Sequence, residues 1–93
     1  MQIGAFQQLM VDLYGEQDAA RGIPSTVAWL AEEVGELAQA VRKGTPEQQL
    51  HELGDVLAWL ASLANQLDLT LDDAFSRYAD GCPYCRAAPC HCG

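Results

Sequence analysis

Two groups of residues in this 93-residue sequence have the types and spacings to do chemistry. The first is acidic: Glu32, Glu33 and Glu36, followed by Glu52 and Asp55. On a helix turning about 100° per residue, the first three fall within an arc of about 100°, with Glu36 in the middle. Glu52 and Asp55 share a stripe with Gln48, Trp59, Ser62 and Gln66. Like charges at these spacings repel, and no lysine or arginine is interleaved to relieve them. A hard divalent cation with oxygen ligands would resolve the repulsion; Mg2+ is the common choice and Mn2+ the alternative. Di-iron bundle sites use Glu-x-x-His. Here the third-residue partners are Glu36 and Asp55, and His51 is expected to point away from the stripe, so iron is disfavoured.

The competing reading is that these acids are solvated outer faces of amphipathic helices, the default for charge on a helix. Both tryptophans argue against it. Trp29 stands one turn before Glu33 and Trp59 one turn after Asp55. A pocket or a subunit interface uses two tryptophans; a solvated face does not.

The second group is Cys82, Cys85, Cys90 and Cys92, a C-x2-C, x4, C-x-C pattern within 11 residues, with His91 as a further donor. Four thiolates are the right number for tetrahedral Zn2+. A pair of disulfides is the alternative, weakened by the cytoplasmic setting expected below. The x4 loop is shorter than in standard zinc ribbons, which leaves binding in trans or a loosely formed site as further readings.

Four helices and no strand are expected to position these residues. Phe6, Leu9, Met10, Leu13 and Tyr14 recur at helical spacing, giving a first helix from Ile3 to Gly15. A loop, Glu16 to Pro24, leads to a second helix with Ser25 as N-cap, ending at Gly44 after Arg42 and Lys43. Thr45, Pro46 and Gln48 form a capping box that starts a third helix, running to about Leu67. Thr70 caps a short fourth helix that ends near Asp80-Gly81. Residues 81–93 hold all four cysteines and no aliphatic side chain larger than alanine, so the division is a helical domain, 1–80, and a Cys-rich tail, 81–93. Gly35 and Gly54 sit in matching acid-aliphatic-Gly-acid-aliphatic segments. A helix-interior glycine costs about 1 kcal/mol, so the pair suggests close backbone approach between packed helices.

Charge and length limit the function. With 5 basic and 13 acidic residues the net charge is −8, which disfavours a nucleic-acid polymer or an anionic membrane as partner. The longest apolar run, Val56 to Ala64, is far short of the ~20 residues that span a bilayer. The segment Met1 to Tyr14 lacks the basic start of a signal peptide, so a cytoplasmic location is expected. A core this small is only marginally stabilising, so a partner subunit, a metal or both are expected.

The words Trp29-Leu-Ala-Glu-Glu-Val-Gly-Glu-Leu and Glu52-Leu-Gly-Asp-Val-Leu-Ala-Trp-Leu are separated, acid to acid, by 15 residues and followed by Leu69-Thr70-Leu71-Asp72-Asp73-Ala74. This pattern resembles the MazG-like nucleoside triphosphate pyrophosphohydrolases, from about Ser25 to Tyr78. The resemblance implies an all-α fold completed by homo-oligomerisation, as a dimer or a dimer of dimers. It implies Mg2+-dependent hydrolysis of a (d)NTP to the (d)NMP and pyrophosphate. Carried over by position, Glu33, Glu36, Glu52 and Asp55 would hold the metal, and Glu32 would position water. Trp29, Trp59, Arg42 and Lys43 are candidate substrate contacts, the tryptophans for a base and the cations for phosphates. Interface packing and helix-dipole compensation compete for the same residues. A phosphoribosyl-ATP pyrophosphatase-like enzyme is a related alternative. A non-enzymatic dimeric module with a zinc tail is the alternative from another class.

Overall fold

The computed structural model describes residues 1–93 and has four helices and no strand. They are α1 (Ile3–Arg21), α2 (Ile23–Lys43), α3 (Pro46–Gln66) and α4 (Leu71–Ser76). α3 is the centre: α2 and α1 both pack on it, and α4 lies against α1.

α1 is longer than its apolar spacing indicates. The expected loop, Glu16 to Pro24, is almost entirely helical, because polar residues continue a helix as readily as apolar ones when the surface is solvated. Arg21 pairs with Asp18 one turn earlier at 2.6 Å, and the Gln66 amide donates to the Asp18 carbonyl at 2.7 Å. Only Gly22 separates α1 from α2. Its φ of 85° and ψ of 160° lie in a region open in practice to glycine alone, so one residue makes the whole turn. Ser25 is therefore inside α2 and does not cap it. Gly22 occupies the N-cap, and Pro24 stands in the first turn, where its missing N–H goes unneeded.

The capping box at the start of α3 forms as expected. Thr45 Oγ1 accepts from the Gln48 N–H at 3.2 Å, and Gln48 Oε1 accepts from the Thr45 N–H at 2.8 Å. Thr70 caps α4 by accepting from the Asp73 N–H at 3.1 Å. α4 stops at Ser76, earlier than expected, and turns follow. Gln7 ties three elements together. It donates to Asn65 Oδ1 at 2.9 Å and to the Leu69 carbonyl at 2.8 Å, and it accepts from the Leu71 N–H at 2.8 Å.

The buried interior is small: Met10, Ala40, Ala61 and Ala64, with Gln7, Asp18, Thr26 and Ser62. Large aliphatic side chains remain outside. Leu50, Leu53, Leu57 and Leu60 recur at three and four residues along α3, and Val27, Val34 and Val41 at seven along α2; all are exposed, Leu50 by 71% and Val41 by 64%. The accessible surface, 6702 Å², compares with about 5,300 Å² for a compact monomer of this mass. The radius of gyration, 15.4 Å, compares with about 12 Å. Gly35 and Gly54 have no heavy atom within 4 Å of where a Cβ would stand, so they mediate no close helix approach within the chain. No helix is long and apolar enough to cross a membrane.

Candidate active site

α2 and α3 bring the acidic residues together. Carboxylate oxygens of Glu33, Glu36 and Glu52 lie within 4.8 Å of one another, and Glu52 belongs to a second such group with His51 and Asp55. Glu52 therefore joins the two groups. The four acids come from i,i+3 pairs on facing helices, Glu33 with Glu36 and Glu52 with Asp55, as the stripe spacing requires. Glu32 is exposed and belongs to neither group.

His51 does not point away. Its Nε2 stands 3.2 Å from Asp55 Oδ2. Residues four apart share a helix face, and the imidazole reaches along that face to the carboxylate. His51 is exposed, and it holds the Asp55 side chain at the edge of the cluster.

The electrostatics record the crowding. Burial raises the pKa of Glu33 above the ordinary carboxylate value, and the charges of Glu36, Asp55 and Glu52 raise it further. Glu33 Oε2 and Glu52 Oε2 are buried and have no hydrogen-bond partner. Buried carboxylate oxygens without donors are costly, and no lysine or arginine forms an ion pair with these acids. The unpartnered oxygens, the hard donor set and the surplus negative charge fit a divalent cation such as Mg2+.

Two cavities flank the acids. One, of about 240 Å³, is lined by Tyr14, Asp18, Arg21, Asp55, Trp59 and Ser62 among others. Trp59 stacks on Trp29 with ring centroids 5.9 Å apart and planes 10° from parallel. The Arg21 guanidinium covers Trp59 at 4.7 Å. Asp18 is 4% exposed; one of its oxygens holds Arg21, while Oδ2 is buried without a partner. The other cavity, of about 350 Å³, has Glu36, Gln39, Lys43, Gln48 and Glu52 on its walls. Lys43 thus lies beside the acids. Arg42 is exposed and forms no ion pair. Arg21 and Asp18 escape a sequence reading that places a loop after Gly15, and Tyr14 is legible there only as part of the apolar face of the first helix. The Asp18–Arg21 spacing was the available signal, since three residues apart is a helical ion pair.

The tail cysteines also converge within the chain. The sulfurs of Cys82, Cys85, Cys90 and Cys92 all lie within 4.8 Å of one another, and all four are free thiols. Backbone N–H groups of Cys85 and Tyr84 lower the Cys82 thiol to about 6. The backbone N–H of His91, then that of Ala87, lowers Cys85, while the neighbouring thiols, Cys90 first, push Cys92 up to about 11. The cluster could bind a metal ion, and the His91 ring is not part of it.

An all-helical chain whose facing helices converge four carboxylates beside an aromatic cavity defines a class of acid-lined helical site. Among known families, the model of the MazG nucleotide pyrophosphohydrolase domain matches residues 21–81. That match takes in 61 of the 93 residues, α2 to α4 complete and every acid of the cluster, and the chain belongs to this family. No curated protein matches the chain.

Proposed function

We propose that this protein is a Mg2+-dependent pyrophosphohydrolase that cleaves a nucleoside triphosphate to the monophosphate and pyrophosphate. The observation that carries the reading is the pair of buried oxygens, Glu33 Oε2 and Glu52 Oε2, which no donor reaches while both carboxylates are ionised, inside a cluster that forms no ion pair with a lysine or arginine. Membership of a nucleotide pyrophosphohydrolase family supports the same chemistry.

Glu33, Glu36, Glu52 and Asp55 would hold the ion, with Mn2+ as a substitute. A divalent cation held by these residues would supply charge neutralisation of phosphate oxygens and a more acidic water as nucleophile. In the reaction a water oxygen attacks the α-phosphorus, the bond to the bridging oxygen breaks, and pyrophosphate leaves with that oxygen. The chain's own residues bind and orient. Lys43 and Gln48, on the wall shared with Glu36 and Glu52, offer N–H donors to phosphate oxygens. Trp59 lines the cavity beside Asp55, and a base would stack there by taking the place of the Arg21 guanidinium over its ring. His51 restrains Asp55. Glu32, exposed and apart from the cluster, has no ligand's part in this scheme.

The working unit would be a homo-oligomer, a dimer or a dimer of dimers. Supporting this are the surface excess over a compact monomer and the exposed α2 and α3 aliphatic stripes. A second copy supplies a self-complementary apolar surface for those stripes.

The test is pyrophosphate release from the eight common (d)NTPs with Mg2+, Mn2+ or EDTA, beside Asp55→Asn. Metal-dependent release that the variant loses is expected. Folded, metal-loaded protein that hydrolyses none of them would overturn the reading. Activity on phosphoribosyl-ATP alone would then mark the related enzyme, and no activity at all a binding module.

A further inference from the structure

Residues 81–93 have no hydrophobic reason to hold a shape. None of them is buried, and none is an aliphatic residue larger than alanine. Yet the segment closes on itself. The Cys82 N–H donates to the Ala87 carbonyl at 3.1 Å, and the Arg86 N–H donates to the Cys82 carbonyl at 2.6 Å. Arg86 adopts a φ of 62°, uncommon for a side-chain-bearing residue. Gly81, at φ 99°, passes so near the Arg86 and Ala87 carbonyls that a Cβ would stand 3.1 Å from each oxygen. Something must compensate for this ordering.

The sulfur positions indicate what does. Cys82 lies 3.5 Å from Cys90 and 3.6 Å from Cys92, and Cys85 lies 3.9 Å from Cys90. A tetrahedron of sulfurs about 2.3 Å from a central Zn2+ has edges of about 3.8 Å. Disulfides would group the sulfurs two by two. Here Cys82 has two near neighbours and Cys90 has two, so the arrangement is four-way. Backbone donors face the sulfurs as well: the His91 N–H stands 3.3 Å from Cys85 Sγ, and the Cys92 N–H 3.3 Å from Cys90 Sγ. Such donors orient thiolate ligands and spread their charge.

We propose that Cys82, Cys85, Cys90 and Cys92 bind one Zn2+ as a closed tetrahedral site, and that this ion, rather than a core, folds residues 81–93. Four sulfurs leave no open position, so the site is structural and performs no hydrolysis. Soft thiolates in so compact a set suit zinc or a single iron. Exposure of Cys85, Cys90 and Cys92 favours zinc, which has no redox chemistry to lose to solvent and oxygen. The ion would also fix Tyr84, which stands inside the Cys82–Cys85 loop. Its ring lies 5.6 Å from the Arg77 guanidinium, which is also 5.4 Å from the Tyr78 ring. The site is independent of the carboxylate cluster, and its test needs no substrate.

The full chain, purified with reductant and without chelator, is analysed for metals and digested with trypsin before and after a strong zinc chelator. One zinc per chain is expected, with cleavage after Arg86 accelerated on the order of tenfold or more by chelation. Cys90→Ser and Cys82→Ser should each lose the zinc while keeping the helical far-ultraviolet signal, which separates loss of the site from loss of the fold. Cobalt(II) reconstitution should give the thiolate charge-transfer and tetrahedral absorption bands. Iron in place of zinc, no bound metal after incubation with Zn2+, or two disulfides under reducing conditions would each overturn the proposal.

Discussion

The carboxylate cluster and the thiol cluster are each four acidic side chains drawn close together, yet they are held in opposite ways. Glu33, Glu36, Glu52 and Asp55 stand on two long helices whose packing places them whether or not a cation is present. Cys82, Cys85, Cys90 and Cys92 stand on an irregular segment with no buried residue to anchor them. The first site is made by the fold and strained by its own charge. The second, on the proposal above, makes its own fold. Hard oxygens on rigid helices suit a cation that must also accept substrate oxygens, whereas soft sulfurs closing a short loop suit a permanent ion. With both proposed ions bound, one chain of 93 residues would combine metal ligands with structure in both ways.

The largest expected effect breaks the first site alone. Glu52→Gln, which removes charge from the residue common to both acidic groups, should lower pyrophosphate release about 100-fold or more. Far-ultraviolet dichroism should be unchanged, because the helices do not depend on that carboxylate. If Glu52→Gln instead unfolded the protein, the claim that the fold makes this site would fail.

Scaffold substitutions come next. Gly22→Ala forces a side chain into a backbone region that only glycine occupies readily and should destabilise the chain by about 1–3 kcal/mol. Urea unfolding followed by tryptophan fluorescence measures this, and zinc content should not change. Thr45→Ala removes half of the α3 capping box and should cost about 1 kcal/mol in the same assay. Were either substitution to release zinc, the two regions would not be independent.

The smallest effect is electrostatic. Glu33 has a folded-state pKa above its unfolded value of 4.5, so its charged form is the one the fold disfavours. Without metal, its contribution to stability is most favourable below pH 4.5 and declines as pH rises through the folded value. The difference in thermal midpoint between wild type and Glu33→Gln, followed across that window, should show this decline. Saturating Mg2+ should remove it for the wild type. A difference independent of pH would mean the crowding of these acids has no energetic consequence.

Much of this was legible in the sequence, for identifiable reasons. The four acids and the α3 capping box follow from local periodicity and short-range hydrogen bonds, which tertiary contacts did not override. The end of α1 did not follow. Glu16, Gln17 and Asp18 have no apolar periodicity, and only the Asp18–Arg21 pair and the long-range bond from Gln66 show that the helix continues. Ser25 looked like a cap because it follows Pro24, but Gly22 turns the chain first. Gly35 and Gly54 suggested close packing that the single chain lacks. His51 lies on the Asp55 side of α3 and not away from the stripe, as a spacing of four residues requires. The aromatic cavity was half legible, since Trp59 comes from a readable stripe while Arg21 and Tyr14 depend on how α1 packs.

Paired metal analysis of wild type, Glu52→Gln and Cys90→Ser tests the two-site division most directly. Mn2+ binding would be followed by its paramagnetic resonance signal and zinc by elemental analysis of the same samples. Glu52→Gln should lose Mn2+ and keep one zinc per chain; Cys90→Ser should lose zinc and keep Mn2+. Loss of both metals in either variant, or Mn2+ binding untouched by Glu52→Gln, would contradict the division of this chain into a site its fold makes and a site that makes its fold.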